Sequence, residues 1–273
     1  GGAQKYVGDL ATHAATQFKK VYLLYGAQGR GEAFKNLPDN VAQHMWPSLV
    51  RSIHPYQDLL FLLKLIKFLK KHHIDVIHCN SSKAGFLGRF AAKICRVPCV
   101  VYTVHGYVFR EPLPMPIKIL YWFLEYCAAA WTHVQISVNR EDADYTQRKF
   151  KAKKVVWIPN GISVQSADPQ KQRTFQAQWN MQPQQKKIGT VANFYATKNH
   201  AGFLDVFKNL VEHDQNFHWF IVGEGPLRSS FEEKCRELSL QEYVHILGYQ
   251  KDIPEFLSSV DLFVLPSVKE GMP

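Results

Sequence analysis

Long hydrophobic runs are missing from this chain of 273 residues. Residues 59–63 are apolar throughout, and the greasy stretch 117–131 is interrupted by Lys118 and Glu125. Neither reaches the roughly 18 uninterrupted residues that a membrane-spanning helix needs. No signal peptide is expected from these residues. Its five cysteines (Cys79, Cys95, Cys99, Cys127, Cys235) are odd in number and offer only one C-x3-C pair, which argues against a disulfide framework and against zinc. Reduced structural thiols in the cytosol are the expectation.

Other signatures are also missing. There is no Walker A lysine loop, no H-E-x-x-H and no G-x-S-x-G, so P-loop, zinc-protease and serine-hydrolase chemistry lack support. Gly26, Gly29 and Gly31 follow a strand in the reverse of the dinucleotide-binding order. Asp142 and Asp144 match a metal-binding D-x-D, but they fall in the acidic first turns of an expected helix, where compensation of the helix dipole is the plainer reading. No short internal repeat occurs. Basic charge is present without clustered Arg, exposed aromatics or a reader motif, so nucleic acid is not the expected partner.

The length predicts two domains. Lys and Arg number 22 against 10 Asp and Glu over residues 1–155, and 11 against 13 over 156–273. The first half is therefore the one expected to meet an anionic partner.

Short β-branched runs alternate with helical periodicity, which predicts an α/β fold of parallel βαβ units. Strands are expected at 21–25, 76–79, 100–103, 134–137, 155–158, 188–192, 219–222, 244–247 and 262–265. A helix at about 56–71 carries Leu59, Leu62, Leu63, Ile66 and Leu69, with Lys64, Lys67 and Lys71 on its polar face. The Gln-rich segment 163–187 reads as a connection between two doubly wound domains, 1–160 and 161–273. Gly1 and Gly2 read as a turn after a strand, and the chain stops soon after its last strand. A fragment trimmed at both ends is the expectation.

Open α/β sheets bind ligands at the carboxyl ends of their strands. Lys198 lies there, just before a helix N-terminus, suited to a phosphate; a solvated loop lysine is the bland alternative. Gly223 and Gly225 permit close backbone approach or form an ordinary turn. Glu270 is placed to accept hydrogen bonds from hydroxyl groups. In the first half, Ser81, Ser82, Lys83 and Gly85 open a helix as a phosphate cradle or a simple N-cap. His105 follows a strand and is either a ligand or a structural histidine.

Nine pieces in order, among them Gly1-Gly2-Ala3-Gln4, Ser81-Ser82-Lys83-Ala84-Gly85, Thr103-Val104-His105-Gly106, Lys198-Asn199-His200 and Val222-Gly223-Glu224-Gly225-Pro226, resemble the retaining glycosyltransferases of family 4. The resemblance covers nearly the whole chain. It implies the GT-B fold, two Rossmann-like domains facing a cleft, and transfer of a sugar from a nucleoside-diphosphate sugar, with UDP the expected nucleotide. The S-S-K-A-G and T-V-H-G pieces resemble members that build surface polysaccharides on a polyprenyl-diphosphate lipid.

The resemblance further implies an N-terminal acceptor domain and a C-terminal donor domain. Lys198, Glu270 and His105 would be catalytic. Gly2, Asn193, Gly223, Glu224, Gly225 and Tyr249 would bind the donor. Ser82, Lys83 and Arg89 would meet the acceptor, lipid-linked or saccharide. No metal is required, and a cytoplasmic location, peripheral on an anionic inner leaflet, is expected.

Two departures stand out. Asn193 occupies the place of the family's usual arginine, and the second glutamate of the E-x7-E motif falls beyond Pro273, so the chain as given is not expected to hold a complete site. The rival readings are another GT-B enzyme acting on soluble sugars, such as an epimerase or a sucrose- or trehalose-type synthase, and a non-catalytic nucleotide-binding fragment.

Overall fold

The computed structural model describes the chain apart from residues 1, 28–33, 35, 51, 162–165, 178, 180, 181, 183, 272 and 273. Gly1, Gly29 and Gly31, named above, lie outside the described residues. The chain divides into two units, residues 1–161 and 162–271.

The first unit contains α1 (Gly2–Gln17), β1 (Val21–Tyr25), β2 (Val41–Met45), α2 (Pro55–His72), β3 (Val76–Asn80), α3 (Ser82–Cys95), β4 (Cys99–Val104), α4 (Met115–Ala129), β5 (Val134–Ser137), α5 (Arg140–Lys149) and β6 (Lys154–Trp157). Strands β1 and β2 pair with each other, and β3-β4-β5-β6 form a second sheet. All pairings are parallel. Right-handed crossovers in one direction place α3, α4 and α5 on the same face of the larger sheet.

The second unit contains α6 (Pro169–Ala177), β7 (Lys186–Val191), α7 (His200–His213), β8 (Phe217–Val222), α8 (Arg228–Glu237), β9 (Val244–Gly248), α9 (Ile253–Ser259) and β10 (Leu262–Phe263). Its sheet runs β10-β7-β8-β9, again all parallel. Trp219 is fully buried at its centre and satisfies its indole by donating to Thr190 Oγ1 at 2.9 Å.

Four readings of the sequence need correction. Strand β2 was not expected: Val41-Ala-Gln-His-Met45 has a single β-branched residue, and pairing with β1 overrides that weak propensity. Gly2 does not belong to a turn but starts α1. The 163–187 connection contains α6, because Phe175 and Trp179 hide among the glutamines; Trp179 stacks on Phe220 with ring centroids 4.1 Å apart.

The fourth concerns α2. Pro55 opens it, His54 caps it and Lys70, Lys71 and His72 close it, a strong set of helix signals. Its buried side is Phe61, Leu65 and Leu69, packed with Trp46, Ala91, Ala92 and Val100. Leu59 and Leu63, expected in the buried stripe, are instead each 55% exposed.

Candidate functional site

In the first unit the carboxyl ends of β3 and β4 carry a polar cluster. His105 Nε2 lies 3.1 Å from Asn80 Oδ1, and the ring of Tyr6 meets the imidazole edge-on at 4.9 Å. Partial burial pushes the His105 pKa below its ordinary value, so the ring is neutral at pH 7. With the Nε2 proton given to Asn80, Nδ1 is left as an acceptor. Beneath it, His78 Nε2 is 2.7 Å from Thr103 Oγ1, which also meets the Tyr6 hydroxyl at 3.2 Å. Burial lowers the His78 pKa to about 4. Tyr6 and Asn80 had no signal in the sequence that marked them as partners of His105.

Helix α3 begins at the same edge. Ser81 is its N-cap residue but makes no side-chain capping bond, and it holds a left-handed φ of 64°. Ser82 is half-buried. Lys83 forms an ion pair with Asp58 on α2 and donates to the carbonyl of Ser52 at 2.5 Å. Arg89 does not reach this edge. It is fully buried, donates through Nη2 to Glu125 Oε2 at 2.7 Å, and lies 3.8 Å over the Tyr102 ring. Its expected role toward an acceptor phosphate is therefore corrected: the guanidinium holds α3 to α4. Gly85 is likewise explained by packing, since a Cβ there would lie 2.4 Å from the Tyr102 ring. At Gly2 nothing lies within 4 Å of a Cβ position, so the structure shows no need for glycine there. Asp142 is buried in the first turn of α5 and paired with Arg110 at 3.0 Å.

In the second unit the strand ends bring most of the named residues together. Lys198 ends a 3-10 turn at Ala196–Lys198 that leads into α7. Its Nζ is 2.6 Å from Glu270 Oε1, both side chains being partly open to solvent. The segment carrying Glu270 is tied to that turn by Val268 N donating to Thr197 O at 3.0 Å and Asn199 Nδ2 to Pro266 O at 3.3 Å. A lysine ammonium has three protons to donate. The pair with Glu270 uses one and leaves others for phosphate oxygens.

The loops after β7 and β8 touch. A Cβ on Gly223 would lie 2.1 Å from the Ala192 carbonyl oxygen, and one on Gly225 2.7 Å from that of Phe194. Phe194 N donates to Glu224 O at 3.1 Å, and Glu224 N to Asn193 Oδ1 at 3.3 Å. Glycine is required here by close approach. The Glu224 carboxylate accepts from Arg228 Nη1 at 2.7 Å, while Arg228 Nε reaches Glu232 at 2.8 Å. It also lies against Gly248 at the end of β9, next to the half-exposed Tyr249. Arg228 was given no role in the sequence, although its i, i+4 spacing to Glu224 and Glu232 was visible there. His200 stacks on Phe194 at 4.5 Å, and burial lowers its pKa to about 4.

Comparison with known proteins gives a consistent picture. Residues 1–166 match the family described as Glycosyltransferase Family 4, and residues 171–273 match Glycosyl transferases group 1. The chain is 33% identical to the UDP-Gal:alpha-D-GlcNAc-diphosphoundecaprenol alpha-1,3-galactosyltransferase of Escherichia coli, over 87% of this chain and 63% of that protein. It is 27% identical to the N,N'-diacetylbacillosaminyl-diphospho-undecaprenol alpha-1,3-N-acetylgalactosaminyltransferase of Campylobacter jejuni, over 81% of this chain and 60% of the relative. Among solved structures, Anabaena HepE in complex with UDP and glucose aligns with a TM-score of 0.78 at 18% identity, covering 98% of this chain and 71% of that one. Both units thus have the Rossmann-like α/β architecture of GT-B glycosyltransferases. The chain spans 60–63% of the length of the first curated relatives it matches.

Proposed function

The chain belongs to glycosyltransferase family 4, and from that membership we propose that the protein it represents moves a sugar from a nucleoside-diphosphate sugar, UDP being the favoured nucleotide, to a polyprenyl-diphosphate-linked acceptor in surface polysaccharide assembly. The observation that carries this reading is the meeting of Lys198 and Glu270 at the ends of β7 and β10, on the same sheet as the touching loops at Gly223 and Gly225. The second unit holds the donor: Lys198 takes the diphosphate, Glu270 aims the lysine and meets sugar hydroxyls, and the segment 223–225 with Tyr249 frames the nucleotide. Asn193 spaces the two loops where the family's arginine would stand, which leaves Lys198 as the principal cation for the leaving group.

The first unit receives the acceptor. His105 accepts a hydroxyl proton contact through Nδ1, and Ser82 and Lys83 border the same edge. The acceptor hydroxyl attacks the anomeric carbon on the face the diphosphate leaves, the leaving phosphate oxygen takes its proton, and configuration is retained. Catalysis rests on positioning and on stabilising charge that grows on the diphosphate. No residue in this scheme needs a metal. The surplus basic charge of the first half faces an anionic cytoplasmic leaflet, where the protein works as a peripheral enzyme.

The test is transfer of labelled sugar by the full-length protein from UDP-sugars, with polyprenyl-diphosphate-linked and water-soluble saccharide acceptors offered in parallel and with excess EDTA present. Label moving to the lipid acceptor supports the reading. Label moving only to soluble sugars assigns the protein to the GT-B enzymes of soluble sugar metabolism instead.

A further inference from the structure

Asn80 and His105 lie at the carboxyl ends of neighbouring strands, and their surroundings decide the state of the imidazole. Asn80 closes β3 and stands opposite Thr103 on β4, two residues before His105. His105 Nε2 is 3.1 Å from Asn80 Oδ1. An amide oxygen only accepts, so Nε2 is the ring nitrogen that carries the proton. Nδ1 has no hydrogen-bond partner among the described residues, and the side chain is only half-buried. The ring therefore keeps one acceptor nitrogen unspent.

Two further contacts hold the ring. Tyr6 on α1 meets it edge-on, with ring planes 79° apart. The Tyr6 hydroxyl is tied to Thr103 Oγ1, and Thr103 Oγ1 to His78 Nε2. His78 and Asn80 are two residues apart on β3, so both side chains leave the same face of the sheet. The titratable groups around His105 are thus Tyr6 from α1 and His78 from β3. No carboxylate or ammonium pairs with the ring among the described residues. The identity of residue 80 matters for that reason. An aspartate there would make the same hydrogen bond but add an opposite charge, which favours the imidazolium. The amide holds the ring without charging it.

We propose that Asn80 is a positioning residue of the transfer: it fixes His105 as the neutral ring with its proton on Nε2, so that Nδ1 takes a substrate hydroxyl and turns away a phosphate oxygen. A bare ring nitrogen accepts from an O–H and has no proton to give a phosphate. This role rests on the transferase reading above and deepens it, because it names both the chemical group that His105 can take and the residue that enforces the choice. It also bounds the working pH from below. Once the ring is protonated, Nδ1 becomes a donor and the hydroxyl contact is lost.

The experiment has two arms, both on the full-length protein. In the first, nitrogen NMR of protein labelled at its histidine rings reads His105 without any substrate, the signals being assigned by their loss in His105→Gln. A pyridine-type Nδ1 and a pyrrole-type Nε2 are expected at neutral pH. The reverse assignment overturns the proposal. In Asn80→Asp the ring should stay charged to higher pH, its titration moving up by about one pH unit or more. In Asn80→Leu the two nitrogen signals should move toward each other as the tautomer preference loosens.

In the second arm, kcat/KM for transfer of labelled sugar from a UDP-sugar to a polyprenyl-diphosphate-linked acceptor is followed against pH. It reports the ionisation of the free enzyme. Asn80→Asp should move the acidic limb up by the amount seen in the ring titration, and approach the parental rate above it. Asn80→Leu should lower kcat/KM roughly ten- to a hundredfold across the range. A merely structural residue would change stability and leave the limb in place. An unmoved limb in Asn80→Asp, which is nearly isosteric and keeps the hydrogen bond, overturns the proposal; so does parental tautomer and turnover in Asn80→Leu. The first arm needs no donor. Absent transfer by the unsubstituted protein therefore counts against the transferase reading, while the ring signals still decide the role of Asn80.

Discussion

Arg89 and Lys198 are both cations in segments that resemble phosphate-binding motifs, and burial separates them. Arg89 has no exposed atom and spends its charge on Glu125; Lys198 keeps a partly open ammonium beside Glu270. The sequence could not tell them apart, because helix position decides burial and neither residue's neighbours reveal which face turns inward. The distinction has a stability consequence. Removing one partner of a buried ion pair leaves the other charge uncompensated, at a cost of roughly 3–5 kcal/mol. Arg89→Ala should therefore lower unfolding free energy by about that amount, and Arg89→Met with Glu125→Leu should recover much of it. Urea denaturation of the two variants checks this; an unchanged midpoint for Arg89→Ala would return the residue to the ligand role.

At the level of elements, the strands that carry the site were legible because they are dense in Val and Ile and end in turn residues. Residues 21–25 and 134–137 coincide with β1 and β5, and the other expected strands agree to within two residues at each edge, β10 being two residues shorter than expected. What was not legible lacked its own signal. Strand β2 forms because β1 lies beside it, α6 because two aromatics find the β8 and α9 side chains, and the exposed leucines of α2 because Trp46 and α3 claim a different stripe. The close approach of the loops after β7 and β8 is likewise a tertiary fact. It predicts that Gly223→Ala costs about 1–3 kcal/mol, since the added methyl meets a backbone oxygen that has little room to retreat. Thermal melting gives the stability change, and UDP titration should show weakened binding in the same variant. A variant as stable as the parent, binding UDP equally well, would remove the close-approach argument for this glycine.

On the scale of the whole molecule, three histidines report on both units. Burial holds His78 in the first unit and His200 and His245 in the second near a pKa of about 4, against 6.5 for the free side chain. The folded state keeps these rings neutral, while an unfolded chain protonates them as pH falls below 6.5. Their contribution is thus fully present at neutral pH and is lost between about pH 6.5 and 4. Melting temperature should fall steeply from pH 7 to 5, and replacing His78 and His245 with Gln should flatten that slope; identical slopes would contradict the assignment.

The charge asymmetry of the chain now has a structural counterpart: the surplus of basic residues lies in the first unit, and in the second a partly open lysine, Lys198, pairs with Glu270 where the donor is proposed to bind. The central claim is that this lysine carries the leaving group of a sugar transfer. It is tested most directly by the turnover of full-length Lys198→Ala under saturating donor and lipid acceptor. The account predicts a fall of about a hundred- to a thousandfold with the fold intact by circular dichroism; turnover close to that of the unsubstituted enzyme would contradict it.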